Sequence, residues 1–141
     1  MSFREKSAWI TLVSVLVCFG AYFAELMAAK VTDRSLGFLG SLHLLLVAVT
    51  GLVVLQVALT AAAAATTPKD GRAPGDERER LILWRSHSIG YHVLMVLALC
   101  LFVPIHFGHS ALDMANFALL AVVIATLTVS VAQIVMFRRG A

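Results

Sequence analysis

Apolar residues do not alternate with polar ones along this chain; they gather in four runs, at residues 8–29, 37–65, 81–105 and 112–137. Each run exceeds the ~20 residues that a helix needs to cross ~30 Å of hydrocarbon. In lipid the backbone must satisfy its own hydrogen bonds, which selects helices or closed barrels. The period-2 alternation of a barrel strand is missing, so helices are expected. Helices this apolar on every face cannot all be covered by 141 residues of protein, and lipid has to solvate what is left over. The pattern therefore predicts an all-α fold: a polytopic membrane protein, a four-transmembrane-helix bundle, built as a single membrane domain over residues 1–141.

Charge sets the direction of threading. The chain has 11 Lys and Arg against 8 Asp and Glu, a net charge of +3, and charged residues make up only 13% of it. Arg4, Lys6, Lys69, Arg72, Arg78, Arg80, Arg85, Arg138 and Arg139 would lie on one side of the spans, and only Lys30 and Arg34 on the other. Nine against two puts both termini and the 66–80 linker in the cytoplasm. Flanking positions account for the basic residues. No basic face with interleaved aromatics offers a nucleic-acid groove, so no nucleic-acid partner is expected. The first run exceeds the ~7–15 residues of a signal core and carries bulky Tyr22 and Phe23 late, so it is expected to remain as a span.

Local signals refine this outline. Trp9 and Trp84 suit the headgroup region. Residues 66–75, TTPKDGRAPG, have the Pro and Gly content of a linker. In the segment DERER, Asp76 and Glu79 have the spacing of an N-terminal capping pair, and Asp76 and Glu77 can each reach Arg80. Pro104 is expected to stop or kink the third span. At ~100° per residue, Ser7, Thr11, Ser14, Cys18, Tyr22 and Glu25 share a stripe on span one. Asn116, Thr126, Ser130 and Gln133 line span four, His43, Thr50 and Val57 recur on span two, and His92 and His106 share a face of span three. Polar stripes in lipid are expected to face other helices. Gly20, Ala24 and Ala28 form a ridge of small residues elsewhere on span one, suited to close approach by a second copy.

Several groups have the chemistry of sites. Glu25, His43, His106, His109 and Asp113 all fall toward the outer leaflet, and imidazole and carboxylate are ligands for zinc and other transition metals. A haem held between His43 and His106 is the other cofactor reading. His87 and His92, with Arg85, Ser88 and Tyr91, would form a polar vestibule near the inner end of span three. The polar stripes also admit a proton or ion path, with Glu25 as its ionisable group. Cys18 and Cys100 form no CxxC pair and read as small buried residues. There is no GxSxG, HExxH, P-loop or GxGxxG, and no nucleophile with a base at matching depth. Catalytic residues are therefore expected to be none, and no resident cofactor is expected.

Two segments, FREKSAW before span one and DERERLILWRSHSIGYHVL leading into span three, resemble a family of small bacterial four-helix inner-membrane proteins known only as a domain of unknown function. The resemblance implies a multi-pass protein of the bacterial cytoplasmic membrane and no catalytic residues. It makes Asp76, Glu77, Arg78, Glu79, Arg80 and Arg85 the expected partner-binding surface. The function expected is that of a non-enzymatic interaction or regulatory component of the membrane, bound to a cytoplasmic protein or to a second copy of itself. Outer-leaflet metal or haem binding and proton or ion conduction are the alternatives.

Overall fold

A computed structural model of the chain describes residues 3–34, 37–66 and 77–139. It contains five helices in the order α1 (Phe3–Val31), α2 (Phe38–Ala65), α3 (Glu77–Cys100), α4 (Phe102–His106) and α5 (Ala111–Arg139). With α3 and α4 taken as one rod, four helices are long and apolar enough to cross a membrane. Three of them begin and end outside their apolar runs, whereas α2 keeps within its own. Helix α1 reaches back through Arg4, Glu5 and Lys6, and α3 starts in the charged segment at Glu77. Acidic Glu5, Glu77 and Glu79 sit in first turns, where the helix dipole favours them.

The break at Leu101 has a chemical cause. Pro104 has no N–H to give the carbonyl of Cys100, and its ring crowds that carbonyl. Leu101 N–H is shared between Leu97 O and Ala98 O, at 3.2 Å each, and a short helix then resumes at Phe102. The chain turns at Gly108, where φ is +71°, a conformation that glycine adopts without steric cost. At the end of α1 the same turn chemistry falls to Asp33, with φ +54°. Arg34 N–H bonds Ala29 O at 2.9 Å and Asp33 N–H bonds Lys30 O at 3.4 Å, the paired bonds of a Schellman ending.

These two turns make two antiparallel hairpins, α1–α2 and α3–α5. The hairpins meet through α1 and α5, so neighbours follow the order α2, α1, α5, α3. No comparable contact joins α2 to α3. Neighbouring axes lie ~8–10 Å apart, so the two flanks are separated by at most ~30 Å. The ten residues from 67 to 76 are enough to bridge that gap, since an extended chain covers ~3.3–3.6 Å per residue.

The core sits on the central pair. Seven residues of α1 and five of α5 are buried, against two of α2 and three of α3. Val15, Phe19, Tyr22, Ala48 and Val123 form its centre. Edge-on ring contacts, with centroids 6.4 Å apart for Phe19–Tyr22 and 5.1 Å for Tyr22–Phe23, fix the aromatic packing. On α3 the contact stripe is Ile82, Ser86 and Gly90, each four residues from the next. A Cβ on Gly90 would overlap Val129 Cγ2 and come 3.4 Å from the carbonyl oxygen of Ala125. Absence of a side chain there sets how closely α3 and α5 approach.

The polar stripes behave in two ways. On α1, Ser14 and Tyr22 are buried and Thr11 accepts a 3.1 Å bond from Gln56 Nε2 of α2, so that stripe does face its neighbours. On α2, His43, Thr50 and Val57 are exposed instead. The face of α2 that meets α1 carries Ser41, Leu44, Leu45, Ala48 and Leu52. His92 and His106 are exposed as well, and His92 Nδ1 lies 2.6 Å from Ser88 O of its own helix. The expectation failed on the flanking helices because each packs extensively against one long helix only, among the described residues. The ridge of Gly20, Ala24 and Ala28 is exposed, and nothing lies within 4 Å of where a Gly20 side chain would start.

Candidate functional site

Polar chemistry collects at the two ends of the helix row. At the end that carries the first and last described residues, ion pairs tie α1 to α3 and α5. Arg4 Nε lies 3.1 Å from Glu79 Oε2 of α3, and Arg138 Nε lies 3.8 Å from Glu5 Oε1. The Arg138 guanidinium also stands 5.5 Å from the centre of the Trp9 ring, within reach of a cation–π attraction. Within the expected partner-binding segment, Glu79 is thus engaged with α1. Arg78, Arg80 and Arg85 are exposed and form no ion pair among the described residues. Glu77 is exposed too, while Asp76, and with it the capping pair, lies outside the described residues.

A cavity of about 480 Å³ opens between α1, α3 and α5 in the half of the row nearer this end. Ser7, Thr11, His87, Tyr91, Thr126 and Gln133 line it. His87 and Tyr91 of the expected vestibule reach it, whereas Arg85, Ser88 and His92 do not line it. The hydroxyls of α5 turn back on their own helix: Thr126 donates to Val122 O at 2.8 Å and Ser130 to Thr126 O at 3.1 Å.

The opposite end, where the hairpins turn, holds the denser network. Lys30 Nζ donates to Asp113 Oδ1 at 2.6 Å, joining α1 to α5. Ser110 caps α5, its Oγ accepting from Asp113 N–H at 3.2 Å and donating to Asp113 Oδ2 at 2.8 Å. Arg34 reaches back to Glu25 at 3.2 Å, a contact that follows from the Asp33 turn. One helical turn deeper, Tyr22 donates its hydroxyl to Asn116 Oδ1 at 2.7 Å. Sequence reasoning placed Tyr22 and Asn116 on polar stripes without pairing them. It treated Lys30 only as a flanking charge, because the register between α1 and α5 depends on packing and not on composition.

The five residues considered as metal ligands do not converge. Among the described residues no three His, Cys, Asp or Glu side chains come together as a metal site. Glu25 and Asp113 are engaged with Arg34 and Lys30. His109 packs edge-on against Phe117, centroids 5.6 Å apart, and His43 and His106 are exposed.

Two hollows adjoin this network. A cavity of about 480 Å³ is lined by Lys30, Asp33, Arg34, Ser110 and Asp113, with Ser41, Leu112 and Asn116 on its deeper side. A groove of about 380 Å³ continues between α2 and α5, floored by Tyr22 and walled by Leu42, Leu45, Leu119 and Val122. Ser41, Leu112 and Asn116 line both. Ser41 is buried, and its Oγ has no hydrogen-bond partner among the described residues.

No family model matches the chain, and neither a curated protein nor a solved structure is significantly similar to it.

Proposed function

We propose that this chain is a non-enzymatic, multi-pass component of a bacterial cytoplasmic membrane, with both termini inside, and that it works by binding a protein partner at its cytoplasmic face. The observation that carries this reading is the trio Arg78, Arg80 and Arg85, exposed at the start of α3 and free of ion pairs among the described residues. An arginine not engaged by another described residue has donors for charge-assisted bonds to carboxylates, and its planar fork gives those bonds direction. Helix α3 buries only three of its own residues, so its outward face is open to a further helix. The small ridge of α1, equally open, offers a second surface for another copy of the chain.

The membrane itself is supported by the exposed apolar surface. Leu39, Phe38, Trp84 and Phe107 are each more than two-thirds exposed. In water such surface drives association, whereas lipid solvates it without cost. Orientation rests on the excess of Lys and Arg near the termini. The test is charge reversal by Arg78→Glu with Arg80→Glu. The double variant is expected to lose a co-purifying partner while its membrane fraction and reporter-fusion topology stay as in the parent. An unchanged set of co-purifying proteins would overturn the assignment of this surface.

A further inference from the structure

We infer that the hollow at the hairpin end and the groove below it form one binding site for a single phospholipid with a phosphoethanolamine headgroup. This rests on the reading of the chain as membrane-spanning, and it assigns to the molecule a ligand that reading does not contain.

Three observations converge. The first is continuity: a charged cavity passes directly into an apolar groove, and Ser41, Leu112 and Asn116 belong to both. A ligand that fills both must be polar at one end and aliphatic at the other. From Leu112 to Val122 the groove follows ten residues of α5, or ~15 Å of helix rise. That is half of a ~30 Å hydrocarbon core, the depth of one leaflet.

The second observation is charge. Lys30 and Arg34 bring two cations to the cavity wall and Asp33 and Asp113 bring two carboxylates. Asp113 is held by Lys30 and Ser110, and Glu25 by Arg34, each through one donor, so both cations keep further N–H groups for a ligand, while Asp33 makes no side-chain ion pair among the described residues. A purely anionic headgroup would meet Lys30 and Arg34 but would leave Asp33 facing like charge. A phosphate bearing a primary ammonium satisfies both signs: the phosphate against the Arg34 guanidinium and Lys30, the ammonium against Asp33.

The third observation is Ser41. The residue is 4% exposed and its hydroxyl has no partner among the described residues, at the point where headgroup would give way to acyl chain. A buried hydroxyl without a partner is costly, and an ester carbonyl of a glycerolipid at that depth would accept its proton. Asn116 lines the same junction with Oδ1 accepting from Tyr22, and its amide N–H groups are donors that a ligand there could use.

Native mass spectrometry of the full chain in mild detergent, equilibrated with equal phosphatidylethanolamine and phosphatidylglycerol of matched acyl chains, tests the proposal. The parent should carry one lipid, with phosphatidylethanolamine favoured by about tenfold. Asp33→Asn keeps a residue that tolerates positive φ and removes only the anion, so the preference should collapse while one lipid stays bound. Ser41→Leu should reduce occupancy by both lipids, and Gly20→Ala, on the open face of α1, should change nothing. A ladder of several lipids with no headgroup preference would overturn the site, as would retention of the preference in Asp33→Asn. A preference for phosphatidylglycerol would overturn the headgroup. None of these results depends on Arg78 or Arg80, so failure here leaves the partner-binding reading to its own test.

Discussion

The apolar 18-residue stretches of α2 and α5 have the same mean hydropathy, and the helices are nearly the same length, yet they occupy opposite situations. Five residues of α5 are buried, and its sides meet both α1 and α3. Only Ser41 and Ala48 of α2 are buried, and among the described residues its extensive helix contact is with α1. Hydropathy thus separates membrane from water but not centre from flank, because lipid tails are as apolar as leucine and reward neither position. What distinguishes α5 is size and polarity at chosen places. The small side chain of Ala125 lies where Gly90 of α3 comes close, and Asn116 and Asp113 bond to α1. The flank α2 is held by shape along one stripe and by a single described side-chain bond from Gln56 to Thr11.

Substitutions that act on one region and spare the other can break this contrast. The largest effect is expected at Gly90, where α3 meets α5. Gly90→Ala forces Val129 from its place, and overpacking of this kind costs about 1–3 kcal/mol. Equilibrium unfolding in mixed micelles would measure it, and an unchanged midpoint would mean that α3 does not pack where it is described. Tyr22→Phe comes next. It removes the hydrogen bond to Asn116 while leaving the ring in the core, and interhelical bonds in membranes contribute about 0.6–2 kcal/mol. The same unfolding assay, run as a double-mutant cycle with Asn116→Ala, should find the two residues coupled. Gly20→Ala should shift stability by no more than about 0.5 kcal/mol, because its new methyl group meets nothing. A large loss there would reveal a contact on the open ridge, which a second copy of the chain would supply.

Much of the fold was readable from the chain. Four apolar runs became four long helices, since length and hydropathy are local properties of each segment. Pro104 marked the broken third rod, because a missing N–H acts wherever it occurs. The order of the helices was not readable. Polar residues on α2 and α3 gave the wrong contact faces: His43, His92 and His106 look outward, and the true seams are Ser41–Ala48 and Ile82–Ser86–Gly90. Small Ser86 and Gly90, four residues apart, lie in one of these seams, but the same spacing at Gly20, Ala24 and Ala28 lies on an open face. Spacing alone cannot say which ridge has a neighbour. At the hairpin end, Glu25, Asp113 and His109 do lie together at one end of the row, yet Lys30 and Arg34 take the carboxylates that a metal would need. Their pairing depends on the Asp33 turn and on helix register, neither of which composition reveals.

The most direct test of the α2–α1–α5–α3 order in lipid is a nitroxide scan along α2 and α3, reading collision with oxygen dissolved in the bilayer. Protection should fall on one stripe of each helix, at positions 41, 44, 48 and 52 and at positions 82, 86 and 90, with positions 43, 50, 57, 92 and 99 fully accessible. A second protected stripe on α2 and on α3, through positions 43, 50 and 57 and through 92 and 99, would mean that these helices close on each other, and the open row would be wrong.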